Sequence, residues 1–497
     1  MMAQRELPPP IFRHDPADIA DLENQIGGWE DRSKLPELGL KKVVVGPDAI
    51  LKLPAALEGL SPEAPGDVVL VVDRTPMRRG GEDLKPMVRV LLEREGFEVC
   101  VVELEGDERG VVHPDFREVE TVKGSIRPGV PVVALGSGVI TDIAKHACFT
   151  YEQEHPDEPP VPLAVCQTAN SAPAFASGMA VISKDGVKRT WPSRLPHMLV
   201  ADVEVLREAP LEYTLSGIGD MSAGFVSFGD WHLGDRVSGG GYLEASWRIL
   251  EDVRNLMIPY AGEIGDRSPL GMEVLAKVLA LGGLSMTFAK ETSPLSGYEH
   301  VVSHMLDMGA ERFGRPVASH GLQVGVATIA ASISWDYLLG NLDPEAVDVD
   351  ACYPSFEEME ERVRETFDET DPSGAMAEEC WGDYRQKLQG WYEARPRFEA
   401  LLENWDDQKA RLRELVLKPE AVVGALAAAG HPLLFEELNV PVPEEEARWA
   451  FQNAHLMRKR FSSGDLLFYT GLFDEALTGS VFSRMRELAK GTRERRE

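Results

Sequence analysis

From residue 42 onward the chain alternates between short apolar runs and longer amphipathic ones. "KVVVGPDAI" is a β-branched run closed by Gly-Pro, and "GDVVLVVDRTP" (66–76) predicts a strand ending at Asp73. "LKPMVRVLLEREG" (84–96) has helical spacing and a glycine stop. Strands are predicted over 97–104, 129–138 and 161–168, with a helix over 139–152 between the last two. Continuously apolar strands alternating with helices predict a parallel sheet covered on both faces. Beyond about residue 205 the strand pattern gives way to long helical periodicities at 271–291, 322–340, 356–367 and 444–461. The fold class expected is an α/β N-terminal domain with a parallel, Rossmann-like sheet, followed by a mostly α-helical C-terminal domain. The expected division is a loosely held, proline-rich arm (1–38), an α/β domain (39–205) and a helical domain (206–497). An acidic segment around 341–420, rich in Trp, Glu and Arg, reads as solvated helices.

Composition narrows the partners. The 497 residues, 43% hydrophobic and 27% charged, are ordinary for a globular protein with two cores. The charge balance is not: 51 basic against 82 acidic residues gives −31. Such a surface repels nucleic acid and anionic lipid, so neither is expected as a partner. No uninterrupted apolar run approaches the ~18 residues of a membrane helix, and the N-terminus lacks the apolar core of a secretory signal. Five widely spaced cysteines without a CxxC form neither a disulfide framework nor a zinc knuckle. The expectation is a cytoplasmic protein with free thiols.

Two constellations carry chemistry. In "VVALGSGVITDIAKH", Gly136, Ser137 and Gly138 stand between an apolar strand and a helix. Glycines there let backbone N–H groups and the positive helix end approach a phosphate, although strand-to-helix turns also use glycine for steric reasons. Asp73, at the end of an earlier strand, is placed as a ribose-binding acid, but the spacing departs from G-x-G-x-x-G. In "SGYEHVVSHMLDMGAERFGRPVASHG", His300 and His304 share a helix face and His320 precedes the next helix. A catalytic metal needs about three protein ligands. Asp220, in the Gly-rich "SGIGDMSAGF", is the natural carboxylate, expected in a turn before a helix. The competing reading is a satisfied histidine pair in a helical core. His146, His232, Arg458 and Arg460 read as structural.

Ordered pieces over roughly 42–480 resemble the glycerol-1-phosphate dehydrogenases, within the wider group of iron-type alcohol dehydrogenases, glycerol dehydrogenases and dehydroquinate synthases. They include "VVVGPDAI", "VVDRTP", "LGSGVITDIAKH", "CQTANSAPAFAS", "SGIGDMSAGFVSFGDWHL", "SGYEHVVSHMLD", "HGLQVGVATI" and "AHLMRKRFSSGDLL". The resemblance implies a dehydroquinate synthase-like fold. It implies a metal on Asp220, His300 and His320, with Asp220 and His304 as catalytic groups and His304 facing substrate. It implies a cofactor, NAD or NADP, held by Asp73, Gly136, Ser137, Gly138, Val139, Ile140, Asp142, Thr168, Ser171 and Ser177. Residues 39–205 would then bind dinucleotide, and 206–497 metal and substrate. Iron-dependent relatives often add a ligand four residues after the Asp. Gly224 stands there, which implies a three-ligand site of the zinc or nickel kind; zinc is the expected metal, with nickel or iron as alternatives.

The implied reaction interconverts a dihydroxyacetone phosphate-like ketone and a glycerol-1-phosphate-like alcohol, with a homo-oligomer, dimer or larger, as the working form. Two positions depart from the family pattern. Pro173 replaces an Asp that contacts the glycerol moiety, and Ser293-Pro294 replaces Arg-Pro before "SGYEH". The alternatives are a sugar-phosphate cyclase of the dehydroquinate synthase type and a non-catalytic nucleotide-binding relative.

Overall fold

The computed structural model describes residues 7–60, 66–108, 110–184, 187–239 and 241–495. Six strands form one parallel sheet: β1 (Lys42–Gly46), β2 (Asp67–Val72), β3 (Glu98–Glu103), β4 (Val132–Gly136), β5 (Leu163–Gln167) and β6 (Met198–Asp202). Their order is β1-β6-β5-β4-β2-β3. Every residue of β4, β5 and β6 is buried, which is why these strands read as unbroken apolar runs. The core on one side joins Val68, Leu70, Val72, Val133 and Leu135 of the strands to Leu84, Val88 and Leu92 of the helix Leu84–Arg94. At least ~1.5 kcal/mol for each such fully buried aliphatic side chain holds this layer together.

Topology places the nucleotide loop. The chain runs outward from β2 to β3, then crosses back to start β4 on the other side of β2. That reversal is the switch point at which open α/β sheets bind ligands, outside the carboxyl ends of the strands. The pairing of Val71 with Ala134 brings Asp73 level with Gly136, and Gly136 pairs in turn with Gln167 of β5.

The chain divides into two compact units. One comprises Met1–Gly217 with Ala245–Glu291, and the other Ile218–Glu244 with Thr292–Glu497. The expected boundary at 205/206 differs from this because helices Glu244–Gly265 and Pro269–Ala289 pack almost wholly within the first unit. Met272 carbonyl accepts the Asn170 side chain at 3.1 Å, and the Thr287 hydroxyl accepts the Gly178 N–H at 2.8 Å. The loosely held arm is also corrected. Residues 19–27 form a helix that buries Leu22 and Ile26, one turn apart. The His14 N–H donates to Asp252 at 2.7 Å and Lys277 pairs with Asp15 at 3.0 Å.

In the second unit the acidic segment is helical as expected, but it is not merely solvated. Its helices Ala375–Glu393 and Arg395–Glu403 bury Trp381, Tyr384, Trp391 and Phe398. Trp391 stacks on Tyr469 with centroids 4.6 Å apart and packs on Phe461 at 5.3 Å. Two helices, Pro269–Ala289 and His320–Asn341, are long and apolar enough to cross a membrane, yet 83% and 89% of their apolar windows are buried in the protein. They are the core helices of their units.

Candidate functional site

Four helices carry the groups of interest: α1 (Gly138–Glu154), α2 (Leu211–Ser222), α3 (Tyr298–Arg312) and α4 (His320–Asn341). Asp220 lies inside α2, not in a turn before a helix. The glycines around it serve close packing instead. A Cβ at Gly219 would sit 2.1 Å from the Gly321 carbonyl oxygen, and one at Gly325 would sit 3.0 Å from Gly219 Cα. The backbones of α2 and α4 therefore touch at this point, which sets Asp220 beside His320. The buried His431 wedges against both glycines and donates Nδ1–H to the Pro432 carbonyl at 2.6 Å. Burial holds its pKa down to about 4, so it stays neutral.

Asp220, His300 and His320 converge. Asp220 Oδ1 is 3.2 Å from His300 Nε2 and 3.9 Å from His320 Nε2. One ligand atom from each of the three lies within 4.8 Å of the others. Bonds of about 2.0–2.1 Å at a tetrahedral centre separate ligands by about 3.3 Å, so the spacing suits a divalent ion. The donor set, two imidazoles and a carboxylate, suits the same chemistry. Gly224, in the turn Ala223–Phe225, brings no side chain to serve as a fourth ligand. His304 is half-buried, its ring centroid 5.5 Å from His320 and 6.4 Å from His300.

The loop before α3 is clamped. Arg460 donates to the Ser296 carbonyl at 2.7 Å and to the Thr292 hydroxyl at 3.2 Å, and the Ser227 hydroxyl donates to the Pro294 carbonyl at 2.7 Å. Arg460 thus does the structural work expected of it. Two buried carboxyl groups, Asp230 and Glu299, meet the same loop. Burial and the neighbouring Glu299 push the Asp230 pKa up to about 7.

Burial opposes a charge on His300, but hydrogen bonds to Asp220 and Glu299 outweigh it and raise the pKa to about 9. Without a metal its ring is then an imidazolium at neutral pH, and a cation must displace the Nε2 proton. The sign follows: uptake releases about one proton at pH 7.5, and affinity rises roughly tenfold per pH unit up to about 9. Calorimetric zinc titrations in buffers of different ionisation enthalpy measure this. Uptake independent of pH between 6.5 and 8.5 would contradict it.

The second constellation lies wholly in the first unit. Gly136 ends β4, and a Cβ there would fall 2.5 Å from the Ile140 side chain, so only glycine lets α1 start so tightly. Ser137 is the N-cap and makes no side-chain cap bond. The N–H groups of Gly138, Val139 and Ile140 precede the first in-helix bond, from Thr141 N to Ser137 O at 3.1 Å. Thr168 N–H donates to the Gly136 carbonyl at 3.3 Å, which ties the next strand end to the same turn. The Ser177 hydroxyl accepts the Met179 N–H at 3.2 Å, while Ser171 is partly exposed. Asp73 is buried, with its oxygens engaged by Thr75 Oγ1 at 2.6 Å and Lys85 Nζ at 2.5 Å.

Asp142, expected to hold the cofactor, is engaged by groups of the protein itself. One oxygen pairs with Lys145 Nζ at 2.9 Å and the other accepts the Val181 N–H at 3.0 Å. Burial raises its pKa and Lys145 opposes the shift. Lys145 itself is fully buried and donates to the carbonyls of Ala174, Ser177 and Met179 at 2.7, 3.1 and 2.7 Å. This pair braces the turn Pro173–Ala176. Sequence reasoning missed Lys145, although the i, i+3 spacing from Asp142 was a signal.

Residues 44–210 match the family model described as iron-containing alcohol dehydrogenase. Curated relatives include proteins named glycerol-1-phosphate dehydrogenase [NAD(P)+]. The chain is 27% identical to the one from Bacillus subtilis (strain 168) over 394 residues, 79% of this chain and 83% of that protein. To the Pyrococcus furiosus enzyme of the same name it is 28% identical over 291 residues, 58% of this chain and 77% of that one. Among solved structures, glycerol dehydrogenase from Schizosaccharomyces pombe aligns with a TM-score of 0.53 at 15% identity, covering 91% of each chain. A probable glycerol dehydrogenase from Sinorhizobium meliloti 1021 aligns with a TM-score of 0.52 at 16% identity, covering 92% of this chain and 98% of that one. These two likenesses establish the fold alone.

Proposed function

We infer that the protein is a metal-dependent, NAD(P)-linked dehydrogenase interconverting a dihydroxyacetone phosphate-like ketone and a glycerol-1-phosphate-like secondary alcohol. The observation that carries this is the convergence of Asp220, His300 and His320 within 4.8 Å. Relatives named for that activity support it. Asp220, His300 and His320 hold the divalent cation, zinc in the first instance given Gly224, with nickel and iron as the other candidates. Bound cation and nicotinamide supply Lewis acidity and hydride respectively. Asp220 lowers the net charge of the cation it holds. His304 contacts the substrate and exchanges a proton with its hydroxyl, as an imidazole can.

In the α/β unit, the amides of Gly138, Val139 and Ile140 at the start of α1 bind pyrophosphate, with Gly136 and Ser137 shaping the turn. Asp73 binds the adenosine ribose, and Thr168, Ser171 and Ser177 line the nicotinamide side. The Pro173 side chain cannot accept a hydrogen bond, so the glycerol hydroxyls are recognised by other groups than the Asp side chain of relatives.

The test uses purified protein, dihydroxyacetone phosphate and NADH or NADPH. Complete chelation abolishes cofactor oxidation and zinc add-back restores it; activity unaffected by metal removal contradicts the reading. A cyclase would consume its sugar phosphate with no net change in NADH, so one cofactor oxidised per ketone reduced also separates the two enzymes.

A further inference from the structure

Glu299 is fully buried beside His300, and nothing in the reaction above uses it. Its Oε1 accepts the Gly297 N–H at 2.7 Å and the His300 Nδ1–H at 3.0 Å. Its Oε2 is buried and makes no hydrogen bond. A carboxylate buried with one oxygen unpaired is costly, and a serine or asparagine could close the same loop at lower cost. The position is constrained further by a second carboxyl. Asp230 Oδ2 accepts the Tyr298 N–H at 2.9 Å and Oδ1 accepts the Ser463 N–H at 2.6 Å. A Cβ at Gly297 would lie 2.4 Å from Asp230 Oδ2 and 2.8 Å from Glu299 Oε2. Two carboxyl groups are thus pressed against one glycine, an arrangement that folding alone does not favour.

The geometry points to Glu299 as a positioning residue for the cation site, turning His300 so that Nε2 faces Asp220 and strengthening that nitrogen as a donor. The inference rests on the metal reading above. Glu299 takes the Nδ1–H and leaves Nε2 at 3.2 Å from Asp220 Oδ1. A negative charge behind Nδ1 makes the opposite nitrogen more basic. His320 differs, since its Nδ1 lies 3.3 Å from the neutral Ser303 hydroxyl. The two imidazoles are therefore unequal, with His300 the stronger ligand. The sequence hides this role, because an acid at the start of a helix usually serves only the helix dipole.

The decisive variant is Glu299→Gln, which keeps the shape and an acceptor oxygen but removes the charge. It also removes the like-charged neighbour of Asp230, so its urea midpoint equals or exceeds that of the wild type. Zinc affinity, measured without substrate by competition with a chromogenic chelator, falls ten- to a hundredfold, by about the amount outer-shell partners contribute. The visible spectrum of the cobalt-loaded protein shifts, and Ser303→Ala changes affinity far less. A Gln variant that binds zinc within about twofold of wild type, with an unaltered cobalt spectrum, overturns the inference. If Asp220→Ala still abolishes binding in that case, the metal reading survives; if wild type binds no zinc that depends on Asp220, both fall. Should the Gln variant fail to fold, Glu299→Asp decides: an intermediate loss of affinity supports the role and wild-type affinity overturns it.

Discussion

Asp220→Ala is expected to lose its metal and at least about a thousandfold in kcat/KM, equivalent to about 4 kcal/mol of transition-state stabilisation. Asp220 is the only anionic member of the three, and its Oδ1 lies 3.2 Å from His300 Nε2 and 3.9 Å from His320 Nε2. Two imidazoles alone rarely complete a catalytic metal site. The loss also removes the carboxylate that helps hold a proton on His300, so the variant's metal-free His300 titrates lower than about 9. Asp220→Asn keeps a neutral oxygen ligand and should retain part of the affinity. Elemental analysis beside steady-state kinetics checks both. Asp220→Ala protein that keeps one equivalent of metal and most of its activity would refute the assignment.

Lys145→Met should be the most destabilising single change in the α/β unit, by about 3–5 kcal/mol. It would leave the Asp142 carboxylate unpaired in the interior and strip three carbonyls of their shared donor. Lys145→Met with Asp142→Asn should recover part of the loss, because the orphaned charge is gone while the carbonyls remain unpaired. Denaturant midpoints of the two variants measure the coupling. NADH affinity should fall with the single variant, since the braced turn Pro173–Ala176 lies between Ser171 and Ser177. A single variant within about 1 kcal/mol of wild type would show that the brace is dispensable.

The sheet was legible because runs such as "DVVLVV" and "VVALG" are too short for core helices and too continuously apolar for half-exposed strands. The unit boundary was not. Helical periodicity in 244–265 and 269–289 reports that a face is buried, not which core buries it. The arm and the acidic segment misled for a related reason. Their polar residues outnumber the few large groups, Leu22, Ile26, Trp391 and Phe398, that dock them. At the site, the i, i+4 histidines marked α3; His320 and Asp220 were candidates by residue type, and their assignment as a ligand set with His300 came through family resemblance. Gly217, Gly219 and Gly224 suggested a turn, whereas Gly219 lets two helices touch. Asp142 and Glu299 show what the sequence does not carry: Asp142 is paired with Lys145 and the Val181 N–H, and Glu299 accepts from Gly297 and His300.

The proposed chemistry requires one divalent cation shared by Asp220, His300 and His320. Anomalous diffraction at the zinc edge from crystals of zinc-loaded protein tests it most directly. The expected peak lies about 2.0–2.2 Å from an Asp220 oxygen and from the Nε2 atoms of His300 and His320. A fully loaded crystal with its zinc elsewhere, and those three side chains bound only to one another, would contradict it.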